Sequence, residues 1–250
     1  MVKKKRLDKL LVERKITATL EDARALIEKG QITVNGIVRN KVNSQYQEHV
    51  SIAQQATHKK FVSRGGYKLE AALQAFSFSP EGYICLDIGC STGGFSDCLL
   101  QHGAKKIYCV DVGYGVLDWK IRRQSNVVVL ERTNARFLTS KEIPELVQLC
   151  VIDASFISLT KLLEPVLPFF GDTVAIIALV KPQFQLDRNK IGEGGIVSDP
   201  RLHQEAIDMV SRYAESLGLQ TEGVIPAPIQ GKKGNQEFLI LLKGDRRSSQ

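Results

Sequence analysis

Four charged residues and one glycine-rich turn in this 250-residue chain have the types and spacing of a reacting site. The turn is Leu86-Asp87-Ile88-Gly89-Cys90-Ser91-Thr92-Gly93-Gly94-Phe95, an apolar strand end that breaks into glycines and passes into a helical pattern. Such a backbone can approach a ligand closely, and the helix start offers unpaired N–H groups, so the stretch reads as a nucleoside cradle. Asp111, 22 residues beyond Gly89 at the end of the next apolar run, is placed to accept hydrogen bonds from both hydroxyls of a ribose, and Asn134, after a third run, to face the base. Val151-Ile152-Asp153-Ala154-Ser155-Phe156 and Leu179-Val180-Lys181-Pro182-Gln183-Phe184 then set an Asp and a Lys at two further strand ends. A lysine oriented by a carboxylate, with a second ammonium such as Lys68 nearby to favour its neutral form, can take a proton from a weak nucleophile.

Elements that alternate must position these residues. Strands are expected over Tyr83–Asp87, Lys106–Asp111, Asn126–Leu130, Leu149–Asp153 and Thr173–Val180, with helices over 93–102, 116–123, 140–146 and 159–168 between them. That order predicts a doubly wound parallel sheet, whose ligands bind beyond the carboxyl ends of the strands where the strand order reverses. Ser63-Arg64-Gly65-Gly66 opens a helix that carries Lys68 and an apolar face of Leu69, Ala72, Leu73 and Phe76. Asp199-Pro200 starts a helix through Leu217, two strands over Leu219–Pro226 and Asn235–Lys243 close the sheet, and Glu237 falls in the last. Residues 183–200, with Gly192, Gly194 and Gly195, are expected to form a lid, and the tail from Gly244 to fray.

Charge separates the front of the chain from this body. Residues 1–68 hold 15 Lys/Arg against 6 Asp/Glu, the remainder 19 against 21. A basic end on a near-neutral body suits a nucleic-acid-facing module. A short cationic helix over 6–14, a second helix with Thr19 as N-cap and Gly30 beyond its end, and a hairpin of Ile32, Val34, Asn35-Gly36, Ile37, Val38 and Val42 follow in order, with a linker expected over 48–60. No apolar run spans a membrane, the start lacks the apolar region of a signal peptide, and five cysteines without a C-x-x-C pair read as reduced core thiols, which together predict a cytoplasmic protein. The four scattered histidines have no metal-ligand spacing, so no metal is expected.

The front resembles the RNA-binding fold named after ribosomal small-subunit protein four, on R-L-D-K-L-L and G-x-(I/V)-x-V-N-G. By that resemblance Lys5, Arg6, Lys9, Arg24 and Lys29 meet structured RNA, chiefly its phosphates. Ser91 excludes a G-x-G-x-x-G dinucleotide fingerprint and no G-K-S/T is present, whereas Asp87-x-Gly89-x-x-x-Gly93-Gly94 resembles the first motif of S-adenosylmethionine-dependent methyltransferases. Asp87, Gly89, Ser91, Thr92, Gly93, Gly94, Phe95, Asp111 and Asn134 are then the expected cofactor residues. Lys68, Asp153, Lys181 and Glu237, in that chain order, resemble the tetrad of FtsJ-type ribose 2′-O-methyltransferases, and residues 6–243 together resemble the TlyA family of ribosomal RNA methyltransferases, sometimes labelled haemolysins.

The resemblance implies a Rossmann-like class I α/β methyltransferase domain (60–250) with a parallel sheet and an antiparallel last strand, behind a small α+β RNA-binding domain (1–59). It implies S-adenosylmethionine as cofactor, ribosomal RNA or ribosomal subunits as partner, and a ribose 2′-hydroxyl, of cytidine, as acceptor. Lys181 would take or stabilise the hydroxyl proton and Asp153 orient it; whether Glu237 holds the substrate hydroxyl or Lys68 stays open at this level. A non-catalytic ribosome-assembly protein, a base methyltransferase and a membrane-lysing protein are the rival readings, the last without an amphipathic helix of sufficient length or apolarity.

Overall fold

The computed structural model describes residues 4–54, 60–231 and 233–245 and divides into two compact units, Met1–Lys60 and Phe61–Gln250. In the first unit β1 (Lys4–Arg6) leads into α1 (Leu7–Glu13) and α2 (Leu20–Glu28), where the Thr19 hydroxyl accepts from the Asp22 N–H as the N-cap pattern required. β2 (Ile32–Val34) and β3 (Ile37–Arg39) form the hairpin, with Asn35 at φ +52° and Gly36 at φ +77°, both positive as a primed turn demands. β4 (Gln45–Gln47) pairs with β1, and β5 (Ile52–Gln54) pairs with β2. The expected linker is therefore shorter: 52–54 are strand, held by ladder bonds that a polar, aperiodic stretch does not advertise, and 55–59 lie outside the described residues. Leu7, Leu11, Ala23, Ile27, Ile32 and Val34 form the small core.

The second unit begins with α3 (Gly65–Ala75) and continues as β6 (Ile84–Ile88), α4 (Gly94–Gln101), β7 (Lys106–Val110), α5 (Trp119–Arg122), β8 (Val127–Leu130), β9 (Leu149–Ile152), α6 (Leu163–Val166), β10 (Thr173–Val180), α7 (Pro182–Gln185), α8 (Pro200–Ser216), β11 (Leu219–Pro226) and β12 (Phe238–Asp245). Its seven-stranded sheet has the order β11-β12-β10-β9-β6-β7-β8. All strand pairs are parallel except those of β12, which runs against both neighbours. The order reverses at β6, so the site expected beyond the strand ends falls between β6 and β9. Successive residues of β6, β9 and β10 face opposite sides, Leu86, Cys150 and Ile176 toward one core and Cys85, Val151 and Ile177 toward the other. Each such fully buried aliphatic side chain contributes about 1.5–3 kcal/mol. All five cysteines are free and buried in these layers.

Four expected elements differ, the helix expected over 116–123 being the single turn of α5. Residues 140–146 form turns rather than a helix, because Pro144 disfavours helical backbone at Ile143, and a 3₁₀ turn over Ala135–Phe137 lies earlier instead. Pro165 and Pro168 divide the helix expected over 159–168 into α6 between two 3₁₀ turns. β12 starts at Phe238, leaving Glu237 just ahead of it, and extends to Asp245 through Gly244, where fraying was expected; 246–250 lie outside the described residues.

Candidate active site

Because β12 is antiparallel, its start lies at the carboxyl edge of the parallel strands: Phe238 stands opposite Val180. The last strand thus delivers Glu237 to the same rim that receives the ends of β6, β9 and β10. A cleft of about 590 Å³ opens there, lined by Gly89, Ser91, Thr92, Gly94 and Phe95 of the turn and by Lys68, Asp153, Lys181 and Glu237. The four charged residues are brought together as two ion pairs. Lys181 Nζ lies 2.6 Å from Asp153 Oδ1 and donates to Ser155 Oγ at 2.9 Å. Lys68 Nζ donates to Glu237 Oε2, and both residues of this second pair are buried. Glu237 thus meets Lys68, one of the two partners the sequence left open.

Two glycines make the close packing possible. Gly89 sits at φ +79°, and a Cβ there would lie 2.8 Å from the Asp153 carbonyl oxygen, so the turn touches the backbone that bears the acid. A Cβ on Gly94 would lie 2.9 Å from the Gly66 nitrogen, so α4 starts directly against the start of α3, the helix that carries Lys68. Gly93, at φ +89°, is the N-cap of α4.

The remaining expected cofactor residues divide. Asp111 Oδ2 accepts from the Ser91 N–H at 2.7 Å and Oδ1 from the Gly113 N–H at 2.7 Å, which ties the turn to the end of β7 and leaves each oxygen a second lone pair for a hydroxyl. Asn134 caps the Ala135–Phe137 turn by accepting from the Arg136 N–H, and neither it nor Asp111 lines the cleft. Asp87 departs from the expectation of ligand contact. It is fully buried beneath the turn, accepts from the Ser96 hydroxyl at 2.5 Å, and leaves Oδ1 without a partner. Burial pushes its carboxyl up to about 7 against the opposing Ser96 hydrogen bond, with the nearby Asp153 and Asp111 charges adding to the rise. The free lone pairs of Asp111 and the glycine-lined wall fit an adenosine-bearing cofactor.

Sequence reasoning gave no role to three residues that complete the cleft. Ser155 holds Lys181, yet one serine two positions after an acid carries no periodic signal. Phe156 is 91% exposed at φ +66° with its ring centroid 5.2 Å from that of Phe184, a left-handed aromatic at a strand end that sequence alone cannot show. Asn235 is buried; its Oδ1 accepts from the Val197 N–H at 2.8 Å and its Nδ2 donates to the Gly195 carbonyl at 2.8 Å. The expected lid is thus folded as α7 and 3₁₀ turns and tied to Asn235, with Lys233 Nζ on the Gly194 carbonyl as a further tie.

The FtsJ-like methyltransferase family model matches residues 61–244, nearly all of the second unit, and the S4 domain model matches residues 5–52. The chain belongs to the FtsJ-like methyltransferase family. A Mycobacterium tuberculosis relative named 16S/23S rRNA (cytidine-2′-O)-methyltransferase TlyA is 38% identical over 244 residues, covering 97% of this chain and 91% of the relative. Hemolysin A of Brachyspira hyodysenteriae is 37% identical over 240 residues, 94% of this chain and 98% of that protein. A solved Streptococcus thermophilus chain, 36% identical, superposes with a TM-score of 0.75 over 98% of this chain and 90% of its own. No described helix of this methyltransferase is long and apolar enough to cross a membrane, and no group of three or more His, Cys, Asp or Glu among the described residues could hold a metal ion.

In the S4 unit the five expected RNA residues fall into two sets. Lys9 and Lys29 are exposed. Lys5 pairs with Glu13 at 2.8 Å and Glu48 at 2.9 Å, while Arg6 and Arg24 both pair with Asp8, at 2.7 Å and 3.3 Å. Burial opposes the Asp8 charge, but donation from Arg6 and Arg24 outweighs it and holds the carboxyl below its usual range.

Proposed function

We propose that this protein methylates a ribose 2′-hydroxyl, of a cytidine, in ribosomal RNA, with S-adenosylmethionine as donor. The observation that carries this reading is the Asp153–Lys181–Ser155 cluster facing the glycine turn across one cleft. The cofactor supplies a methyl on a positively charged sulfonium. Gly89, Ser91, Thr92 and Gly94 of the cleft, with Asp111 beside the turn, would hold its nucleoside, and Asp87 supports the turn from below.

A ribose hydroxyl is a weak nucleophile at neutral pH, so its proton must be accepted or its loss stabilised as it reacts. Lys181 Nζ does this, with Asp153 and Ser155 fixing its position. The Lys68–Glu237 pair lines the same cleft and presents a fixed ammonium dipole to the reacting oxygen. The tilted Phe156 and Phe184 rings offer an aromatic face for a base turned out of its stack, the usual way a protein grips an unpaired nucleotide. A nitrogen or carbon of a base would call for different groups: amine methylation usually goes with an Asn/Asp-Pro-Pro-Tyr/Phe segment and pyrimidine carbon methylation with a cysteine nucleophile, where this chain has Asp153-Ala-Ser-Phe. The S4 unit seats the enzyme on folded RNA of the ribosomal subunits, and a ribosomal substrate places it in the cytoplasm.

The deciding experiment is alkaline hydrolysis of ribosomal RNA methylated by the purified protein, run separately on each subunit. A 2′-O-methyl leaves an alkali-resistant dinucleotide that holds the labelled methyl; label recovered only in mononucleotides refutes the assignment.

A further inference from the structure

Asp8 occupies the first turn of α1 and is 1% exposed, an unusual place for a carboxylate on a surface read as RNA-facing. Its Oδ1 accepts from Arg6 Nε at 3.1 Å and from the Lys9 N–H at 2.9 Å; its Oδ2 accepts from Arg6 Nη2 at 2.7 Å and Arg24 Nε at 3.3 Å. The carboxylate is thus consumed inside the unit, while the two arginine side chains remain 36% and 52% exposed. A guanidinium has five N–H donors in a planar fork, and Asp8 takes two from Arg6 and one from Arg24. The donors left over are held in fixed directions, without the rotamer freedom a solvated arginine loses on binding.

We propose that Asp8 is a positioning residue that locks Arg6 and Arg24 into one two-pronged receptor for neighbouring phosphates of folded RNA. The inference rests on the reading of the first unit as RNA-binding. It assigns the cluster's affinity to geometry, where a basic patch would act through net charge alone.

The two accounts predict opposite signs. Counting charge, Asp8→Asn removes a negative group and tightens RNA binding. By the proposal it frees both guanidinium groups and weakens binding about five- to tenfold, with a shallower dependence on salt, by about one in the slope of log K against log salt. Filter binding of the full-length protein to purified ribosomal subunits, across a salt series, reads both quantities. Arg24→Lys keeps the charge at an exposed position and loses the fork, so the proposal expects a similar weakening. Equal or tighter binding by Asp8→Asn with an unchanged melting temperature overturns it. Wild-type affinity in Arg24→Lys overturns it whatever Asp8→Asn does. A different result, no loss in the double variant Arg6→Ala/Arg24→Ala, would remove the RNA role of this surface as a whole.

Discussion

Lys68 and Glu237 stand 169 residues apart in the chain and meet as a buried ion pair at the edge of the cleft. The pair joins α3, which precedes the sheet, to the start of its last strand, so it closes the site across the whole methyltransferase unit.

Removing one partner leaves a desolvated charge. Glu237→Gln is expected to destabilise the fold by about 3–5 kcal/mol, and Lys68→Met/Glu237→Met to recover most of that while remaining inactive. Urea unfolding and methyl transfer on the same preparations check both halves; a double variant with full transfer would take the pair out of the mechanism.

Lys181→Ala should lower transfer by about 10²–10⁴-fold with S-adenosylmethionine affinity unchanged by calorimetry. Ser155→Ala leaves Asp153 in place to hold the ammonium and should cost only about three- to tenfold in kcat. Equal losses in the two would mean that the serine, too, meets the substrate.

The Asp87 carboxyl, at about 7 in the fold against an ordinary 3.8, makes stability depend on pH. Its folded value is raised, so the folded state binds the proton more tightly; the stability this contributes is fully present below 3.8 and is lost as pH rises through about 7. Asp87→Asn removes the titration. Its melting temperature should exceed that of the parent at pH 8 and converge on it toward pH 4, a difference worth on the order of 4 kcal/mol between the extremes. Parallel pH profiles for the two proteins would contradict the assignment.

Asn235→Ala leaves the Val197 N–H and the Gly195 carbonyl without their partner, at about 1–3 kcal/mol of local stability. The wall over 191–197 then loosens, and KM for RNA is expected to rise more than kcat falls. Hydrogen exchange confined to that segment would accompany it.

The chemistry-bearing positions were legible because each lies at the end of an apolar run, where a sheet must present it: Asp111, Asp153 and Lys181 all follow strands at their expected places. Glycine spacing revealed the turn for the same reason. What stayed hidden depends on neighbours distant in sequence. That Asp87 is covered while Gly89 is not follows from the packing of α4, and nothing in the run Leu86-Asp87-Ile88 separates a supporting acid from a contacting one. The pairing of Lys68 with Glu237, the Asp8 cluster and the Asn235 clamp each join segments whose order in space is set by topology. Pro144, Pro165 and Pro168 carried a signal that apolar periodicity alone overrode.

The antiparallel course of β12 has a consequence for how the enzyme comes into being. Glu237 stands just ahead of β12, the last described element, and is synthesised after the glycine turn and Lys181. A chain interrupted between Lys181 and Glu237 already has the cofactor turn and Lys181, yet has nothing opposite the Lys68 ammonium. Molecules cut short ahead of Glu237 are therefore without the second ion pair of the cleft.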